Sequence, residues 1–283
     1  MSAIVAGLIL LSALMHAGWN FLMKRGRDGQ LDTVVFSLGC SLIAACVLPF
    51  AGWPSSDCYP WLAASLAVHV AYFLSLAEAY RHADLSLAYP LMRGTAPMLV
   101  CLVAPFMGEL MSPIQMVGVM MIGLGIGLPA WIGKPWQAVN RRGLFYCLFN
   151  AAIIALYTLL DGVGVRLSGH AVSYTLWLFL FNSWGILAVI IWRRSLAEVL
   201  QHTRQNWRTA IVGAGLSMAS YGIVLWAMTQ TSIPAVAALR EVSVIFAALL
   251  GAWFLKEQMG VWRILGASLV CIGAATIRWG GQV

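Results

Sequence analysis

Ten runs of about twenty apolar residues follow one another along this chain, separated by short stretches rich in Gly, Pro or charge. A helix needs about 20 apolar residues, rising about 1.5 Å each, to cross the roughly 30 Å hydrocarbon core of a bilayer. Inside lipid every backbone N–H and C=O has to be satisfied within the protein, which leaves helices or closed barrels as the only spanning structures. Breaking the chain at Gly, Pro and charge clusters places helices over 2–23, 33–52, 60–80, 86–107, 114–132, 143–165, 171–192, 209–229, 235–255 and 261–279. Composition agrees: 61% of residues are hydrophobic and 10% charged, against about 45–50% and 25% in soluble domains. A water-soluble globule is excluded, and the connections are too short to hold a soluble catalytic domain. The fold class expected is an all-α polytopic membrane protein with ten transmembrane helices.

The first run is expected to stay as a helix rather than leave as a secretory signal. No cation precedes it, and the basic residues follow it. Orientation follows from Lys and Arg in the short loops. Lys24, Arg25, Arg27, Arg81, Lys134, Arg141, Arg142, Arg193, Arg194, Arg204, Arg208 and Lys256 fall in odd-numbered loops, and only Arg166 and Arg278 fall on the other side. Odd loops are therefore expected to be cytoplasmic and both termini extracytoplasmic, in a multi-pass protein of the cytoplasmic (inner) membrane. Trp53, Trp61, Trp131, Trp136, Trp192, Trp207 and Trp279 lie near span ends, as an interfacial aromatic belt requires. The net charge of +7 is gathered in loops between apolar spans, so the partner it predicts is an anionic lipid bilayer and not nucleic acid. Cys40, Cys46, Cys58, Cys101, Cys147 and Cys271 have no C-x-x-C spacing, and read as packing residues.

Displacing the sequence by 148 positions aligns 79–125 with 227–273 without a gap, with identities that include Leu91/Leu239, Glu109/Glu257, Gly118/Gly266 and Gly125/Gly273. Nine identities in 47 positions is a weak score for apolar sequence. The shared order of apolar helix, aromatic, acidic turn and glycine-opened helix is the more telling feature. Five spans per copy make the second copy enter the membrane from the opposite side. The expectation is two inverted five-helix repeats, 1–132 and 143–283, joined by a linker at 133–142, with a binding site near the midplane between them.

Several stretches resemble the ten-helix branch of the drug/metabolite transporter superfamily, the kind built from two EamA domains. They are His16-Ala17-Gly18-Trp19-Asn20-Phe21 followed by Lys24, the segment from Ala79 through Asp84-Leu85-Ser86-Leu87-Ala88-Tyr89-Pro90 to Pro97, and the elements Phe106-Met107-Gly108-Glu109 and Phe254-Leu255-Lys256-Glu257. The resemblance covers essentially the whole chain. It implies a helical basket around a central cavity, peripheral fifth and tenth helices, and export or uptake of small metabolites.

Ionisable side chains in mid-membrane are costly, by about 2.5–3.5 kcal/mol on insertion scales, so they face a bundle interior or a wet cavity. Measured along straight helices, His16 and Arg93 fall roughly 5 Å to the inner side of the midplane, with Asn20 and Glu78 deeper on that side. Arg240, Glu241 and Asp161 fall to the outer side, roughly 6–10 Å from it. The repeat pairs Arg93 with Glu241, but an axial separation of roughly 12 Å speaks against contact. The expected gate ion pairs are instead Glu78, through water, with Arg93 and Asp161 with Arg240. These charges either tie helices together or hold a ligand, with Arg93 or Arg240 on a carboxylate or phosphate and Glu241 on an amine or proton. His16 and Asn20 share a helix face, as do His69 with Tyr72 and Tyr89 with Arg93. Tyr157, Trp184, Tyr221 and Trp226 are candidates for aromatic cavity walls. Pro90, Pro97 and Pro105 predict a kinked fourth helix. Gly123 and Gly127 permit close helix approach, most simply within the bundle.

The five His form no H-x-x-H or E-x-x-H pattern, the one D-x-x-x-D, Asp28 and Asp32, follows directly on the basic first loop, and no P-loop is present. No catalytic residues, metal site or cofactor are expected, and an intramembrane enzyme is the least favoured class. The function expected is a secondary transporter, carrier or exporter, of a small polar or amphipathic metabolite, amino-acid-like or anionic, working by alternating access. A membrane scaffold or sensor without transport is the alternative. The sequence leaves open whether the protein is a monomer or a homodimer.

Overall fold

The computed structural model describes residues 1–24, 28–133, 140–191, 194–255 and 260–281, and among them all regular structure is helical. The helices are α1 (Ala3–Lys24), α2 (Gly29–Ala51), α3 (Tyr59–His82), α4 (Leu85–Val103), α5 (Pro113–Gly133), α6 (Arg141–Leu167), α7 (Ala171–Ile191), α8 (Leu196–Gln230), α9 (Ile233–Arg240), α10 (Ser243–Leu255) and α11 (Val261–Gly280). Eight segments among the described residues are long and apolar enough to cross a membrane; α9 and α10 together form one of them, Ile233–Phe254. With Pro113–Pro129 as a shorter apolar stretch in α5 and α7 as a further helix of 21 residues, a helix stands at each of the ten expected positions.

Local chemistry explains where they start. Asp28 caps α2 by accepting from the backbone N–H groups of Gln30 and Leu31, and Asn140 does the same for α6 through Arg142. Ser195 accepts from the Glu198 N–H and opens α8, which then runs 35 residues. That start is well ahead of the expected 209. The extra turns belong to what looked like a loop, and they are held because Val199 is buried with Leu31 and Val34 of α2. Arg204 and Arg208 therefore ride on a helix. Lys134, Arg25, Arg27, Arg193, Lys256, Glu257, Trp136, Trp192 and most of the 133–142 linker lie outside the described residues.

The ninth span breaks in its middle. α9 ends at Arg240, backbone N–H groups of Glu241 and Val242 turn back to Ala238 and Leu239, and α10 starts at Ser243. Non-helical backbone at this depth is tolerated only where protein covers it, and every residue from Ile233 to Ser243 is buried.

Helix pairing follows a simple exchange rule. α3 packs on α6 as α8 packs on α1, α4 packs on α6 as the ninth span packs on α1, and α2–α7 and α5–α11 pair with their own counterparts. The pairs map onto one another when spans one to five are exchanged with spans six to ten. The α5–α11 seam shows it at residue level. A Cβ at Gly118 would stand 2.7 Å from the Gly273 carbonyl oxygen, and one at Gly125 would stand 2.7 Å from that of Gly266. The two repeat pairs thus meet crosswise, as antiparallel helices about a twofold must. Gly94 of α4 closes on Gly123 of α5 in the same way, so the Gly123/Gly127 face packs inside the bundle. α11 is peripheral: 22% of its apolar window is buried, against 61% for the ninth span. Trp53, Trp207 and Trp279 are exposed near span ends, where a belt would place them.

Candidate functional site

Three ionised side chains meet where the ninth span breaks. Arg93 of α4 brings Nε to 2.9 Å from Glu241 Oε2, and Arg240 places Nη2 3.5 Å from Oε1 of the same carboxylate. On its other side Arg93 Nη2 lies 3.1 Å from Nε2 of His16 on α1. Trp19 Nε1 donates to His16 Nδ1 at 3.3 Å, and Asn20 Nδ2 donates to the His16 carbonyl at 2.8 Å. One chain of contacts therefore links α1, α4 and the ninth span.

This arrangement corrects both expected gate pairs. Glu78 does not reach Arg93; it pairs with Arg81 at 2.9 Å and lies 3.8 Å from His82 on its own helix. Asp161 does not pair with Arg240 but accepts from the hydroxyls of Tyr174 at 3.0 Å and Tyr221 at 2.6 Å. Tyr221 stands between the two, with the Arg240 guanidinium 6.0 Å from its ring centroid. The Arg93–Glu241 contact that straight-helix depth argued against is the one that forms. Depth counted at a fixed rise per residue loses its meaning in a span interrupted at Glu241.

Above these charges lies a cavity of about 170 Å³. His16, Asn20, His69, Tyr72, Tyr89 and Arg93 line it, as do Tyr157, Tyr221 and Arg240. Tyr89 keeps its expected place beside Arg93, 6.0 Å from the guanidinium. His69 accepts or donates at Nδ1 with Ser65 on its own helix, and its ring lies 4.4 Å from that of Tyr157. Tyr72 meets Tyr157 edge-on. Three expected lining residues are elsewhere. Trp184 is 60% exposed on the outside of the bundle, and Glu241 lies buried behind the arginines. Trp226 packs against the main apolar core instead of the cavity.

Trp19, Tyr80, Asn150, Phe179, Asn182 and Ser217 also line the cavity and were missed. The signal for the amides was present. Asn150 and Asn182 are isolated in apolar runs, and the argument that an intramembrane polar group faces a cavity covers amides as well as charges. Asn150 Nδ2 donates to Tyr72 O at 3.1 Å and Ser75 Oγ at 2.7 Å, and its buried Oδ1 has no hydrogen-bond partner among the described residues.

The two ends of the bundle differ. At the end bearing the even-numbered loops, Glu109 pairs with Arg166 and accepts from the Ile233 N–H at 3.1 Å. Arg166 also donates to the carbonyls of Met228 at 2.7 Å and Thr231 at 2.9 Å. Ser55 N–H to Ser168 O, Ser173 Oγ to Ala51 O and Ser112 Oγ to Gly280 O add three more ties at that end. Toward the odd-loop end the buried residues divide into a group on α3, α4 and α6 and a group on α2 and α8, while a further group on α2, α7 and α8 lies from mid-depth toward the even-loop end. The cavity lies between these groups. A second crevice of about 290 Å³, lined by Asp32, Phe36, Asn206 and Thr209, opens at the same end. Among the described residues no group of three or more His, Cys, Asp or Glu is placed to hold a metal ion.

Comparison with known proteins places this architecture. Residues 141–279 match the EamA-like transporter family. The second part of the chain, just under half of its length, carries an EamA-like transporter domain. That family is one of membrane transporters in the drug/metabolite transporter superfamily, and together with the apolar spans the match supports a multi-pass membrane protein. A solved structure titled "Crystal structure of protein" aligns with a TM-score of 0.73 at 17% identity, covering 97% of this chain and 96% of that one. At that identity the match speaks for the fold alone. No curated protein matches the chain. The EamA match covers α6 to α11, which bring Asn150, Tyr157, Asn182, Tyr221, Arg240 and Glu241 to the site.

Proposed function

We propose that this protein is a secondary transporter in which the 170 Å³ cavity is the substrate site, exposed alternately to the two sides of the membrane. The substrate is a small polar or amphipathic metabolite. The moving units are the two halves, 1–132 and 143–283, and the conformation described is closed at the even-loop end. The observation that carries the proposal is the asymmetry along the bundle axis: a buried polar cavity at the middle, divided cores on one side of it, and continuous packing sealed by Glu109 and Arg166 on the other. By the charge bias the odd loops are cytoplasmic, which makes this an inward-facing form. A scaffold or sensor has no need of buried, incompletely paired arginines lining an internal cavity.

Alternation is tested with a cysteine at Ser217, a cavity residue, in a background whose native cysteines are replaced by Ala or Ser. Membrane-impermeant maleimide should reach it readily from the odd-loop side of oriented vesicles and slowly, through rare opening, from the other side. Complete protection from the even-loop side over hours, at temperatures up to the onset of unfolding, overturns alternating access. Uptake of a metabolite panel into proteoliposomes supplies the second arm. Transport above protein-free vesicles is expected, reduced to background in the Arg93→Ala, Arg240→Ala double variant.

A further inference from the structure

On the wall formed by His16, Trp19, Arg93 and Arg240 the hydrogen-bonding groups do not balance. Elsewhere on the cavity the lack is the opposite one: the amide oxygens of Asn150 and Asn182 have no donor among the described residues. Both ring nitrogens of His16 face groups that can only donate: Trp19 Nε1 stands 3.3 Å from Nδ1, and Arg93 Nη2 stands 3.1 Å from Nε2. An indole N–H and a guanidinium have no acceptor atom, while a neutral imidazole has one lone pair and one N–H. Whichever tautomer His16 takes, it satisfies one neighbour and turns its own N–H toward the other. A protonated ring would turn N–H groups toward both. At least one donor on this wall is left over.

Arg240 adds to the surplus. It is 4% exposed, and its Nε has no hydrogen-bond partner among the described residues. Its charge contact is the 3.5 Å approach to Glu241 Oε1, and the other oxygen of that carboxylate is against Arg93 at 2.9 Å. One carboxylate thus serves two guanidiniums. Asp161 is no help to the cavity. Both of its oxygens accept tyrosine hydroxyls, and it sits behind Tyr221. A buried donor without an acceptor costs about 1–3 kcal/mol, more when charged, and a ligand rich in acceptors removes that cost on binding.

We infer, resting on the carrier reading above, that the substrate class is a small organic carboxylate. Its oxygens are received by Arg240 and by the His16–Trp19 edge, and its apolar body lies against the rings of Tyr72, Tyr157 and Tyr221. Arg93, held between Glu241 and His16, is a positioning residue that fixes the imidazole. The guanidinium fork matches the planar carboxylate. One carboxylate left short between two guanidiniums calls for a single negative charge, which favours a monoanion over a phosphate dianion. A cavity of about 170 Å³ suits a small body.

Binding to the purified full-length protein is measured by titration calorimetry with two carboxylate–amide pairs, benzoate with benzamide and butyrate with butyramide. Benzylamine, inorganic phosphate and chloride are the other probes. At least one carboxylate should bind more tightly than its amide, and benzylamine should not bind. Arg240→Gln should raise the Kd of that carboxylate roughly ten- to a hundredfold, the worth of a charge-assisted hydrogen bond. Arg240→Lys keeps the charge and should raise it by less; Trp19→Phe, which deletes one donor, should raise it modestly. Should Arg240→Gln not fold, the Lys and Phe variants decide. The proposal is overturned if neither carboxylate outbinds its amide, if benzylamine, phosphate or chloride binds more tightly than both, or if Kd is unchanged in Arg240→Lys and Trp19→Phe. Labelling of the Ser217 cysteine does not depend on ligand charge. Alternation without carboxylate binding removes only the substrate class, whereas failed alternation removes the carrier whatever binds.

Discussion

At the end of the bundle that carries the even-numbered loops, one apolar cluster runs unbroken from Val5 and Ile9 on α1 through Val100 on α4 to Val224 on α8 and Ile233 on α9. At the other end Ala79, Ala88 and Cys147 form one cluster and Leu31, Val34 and Val199 another, with tyrosines, amides and arginines between them. Side chains that must keep hydrogen-bonding partners cannot close into a dry seam without losing them. Polar residues therefore hold the two clusters apart, while apolar ones let the opposite end weld. The asymmetry arises from side-chain chemistry laid over a pseudo-symmetric backbone, so it can be perturbed at single residues.

The largest effect is expected at the boundary between the two regions. Glu241→Ala leaves Arg93 and Arg240 buried side by side without their shared carboxylate and should destabilise the protein by about 3–5 kcal/mol, read from unfolding in detergent. Adding Arg93→Met and Arg240→Met together should recover most of the loss; if they do not, the carboxylate matters for something other than charge. A smaller effect separates the ends directly. Tyr174 is fully buried in the welded end and donates to Asp161, so Tyr174→Phe should cost about 1–3 kcal/mol. Tyr80 lines the cavity and is 40% exposed, and Tyr80→Phe should stay within about 0.5 kcal/mol. Equal costs would mean that the cavity end is as tightly packed as the sealed one.

Much of this was legible in the sequence. Hydropathy alone located the ten spans, because a bilayer imposes one length on every crossing segment. Repeat alignment did more than its score suggested: it paired Gly118 with Gly266 and Gly125 with Gly273, whose crosswise contacts form the α5–α11 seam, and it paired Arg93 with Glu241, which touch. The depth estimate misled because it assumed an unbroken ninth helix, and Ala238 to Ser243 contain neither Gly nor Pro to announce the break. The turn is set by what surrounds it. Trp184 was misplaced for a related reason: an apolar helix all round has no face that local sequence can assign to lipid or cavity.

The subtlest prediction concerns the seal itself. Glu109 does two things: one oxygen accepts from the Ile233 N–H at the start of α9, and the carboxylate pairs with Arg166. Glu109→Gln keeps an acceptor for the backbone while removing the charge. Arg166 keeps its two carbonyl acceptors, Met228 and Thr231, so no buried cation is stranded. With Arg166 one-third exposed, the pair is worth about 0–1 kcal/mol. Global stability should therefore hardly move. The same energy acts differently on the opening equilibrium, because the pair bridges the first half to the second and is lost whenever the even-loop end parts. Removing up to about 1 kcal/mol from the closed form alone raises the open population by up to roughly fivefold. The Ser217 cysteine should then label faster by that factor from the even-loop side, at an unchanged melting temperature. A lowered melting temperature with unchanged labelling would make the pair a brace for the fold and leave the apolar cluster as the whole of the seal.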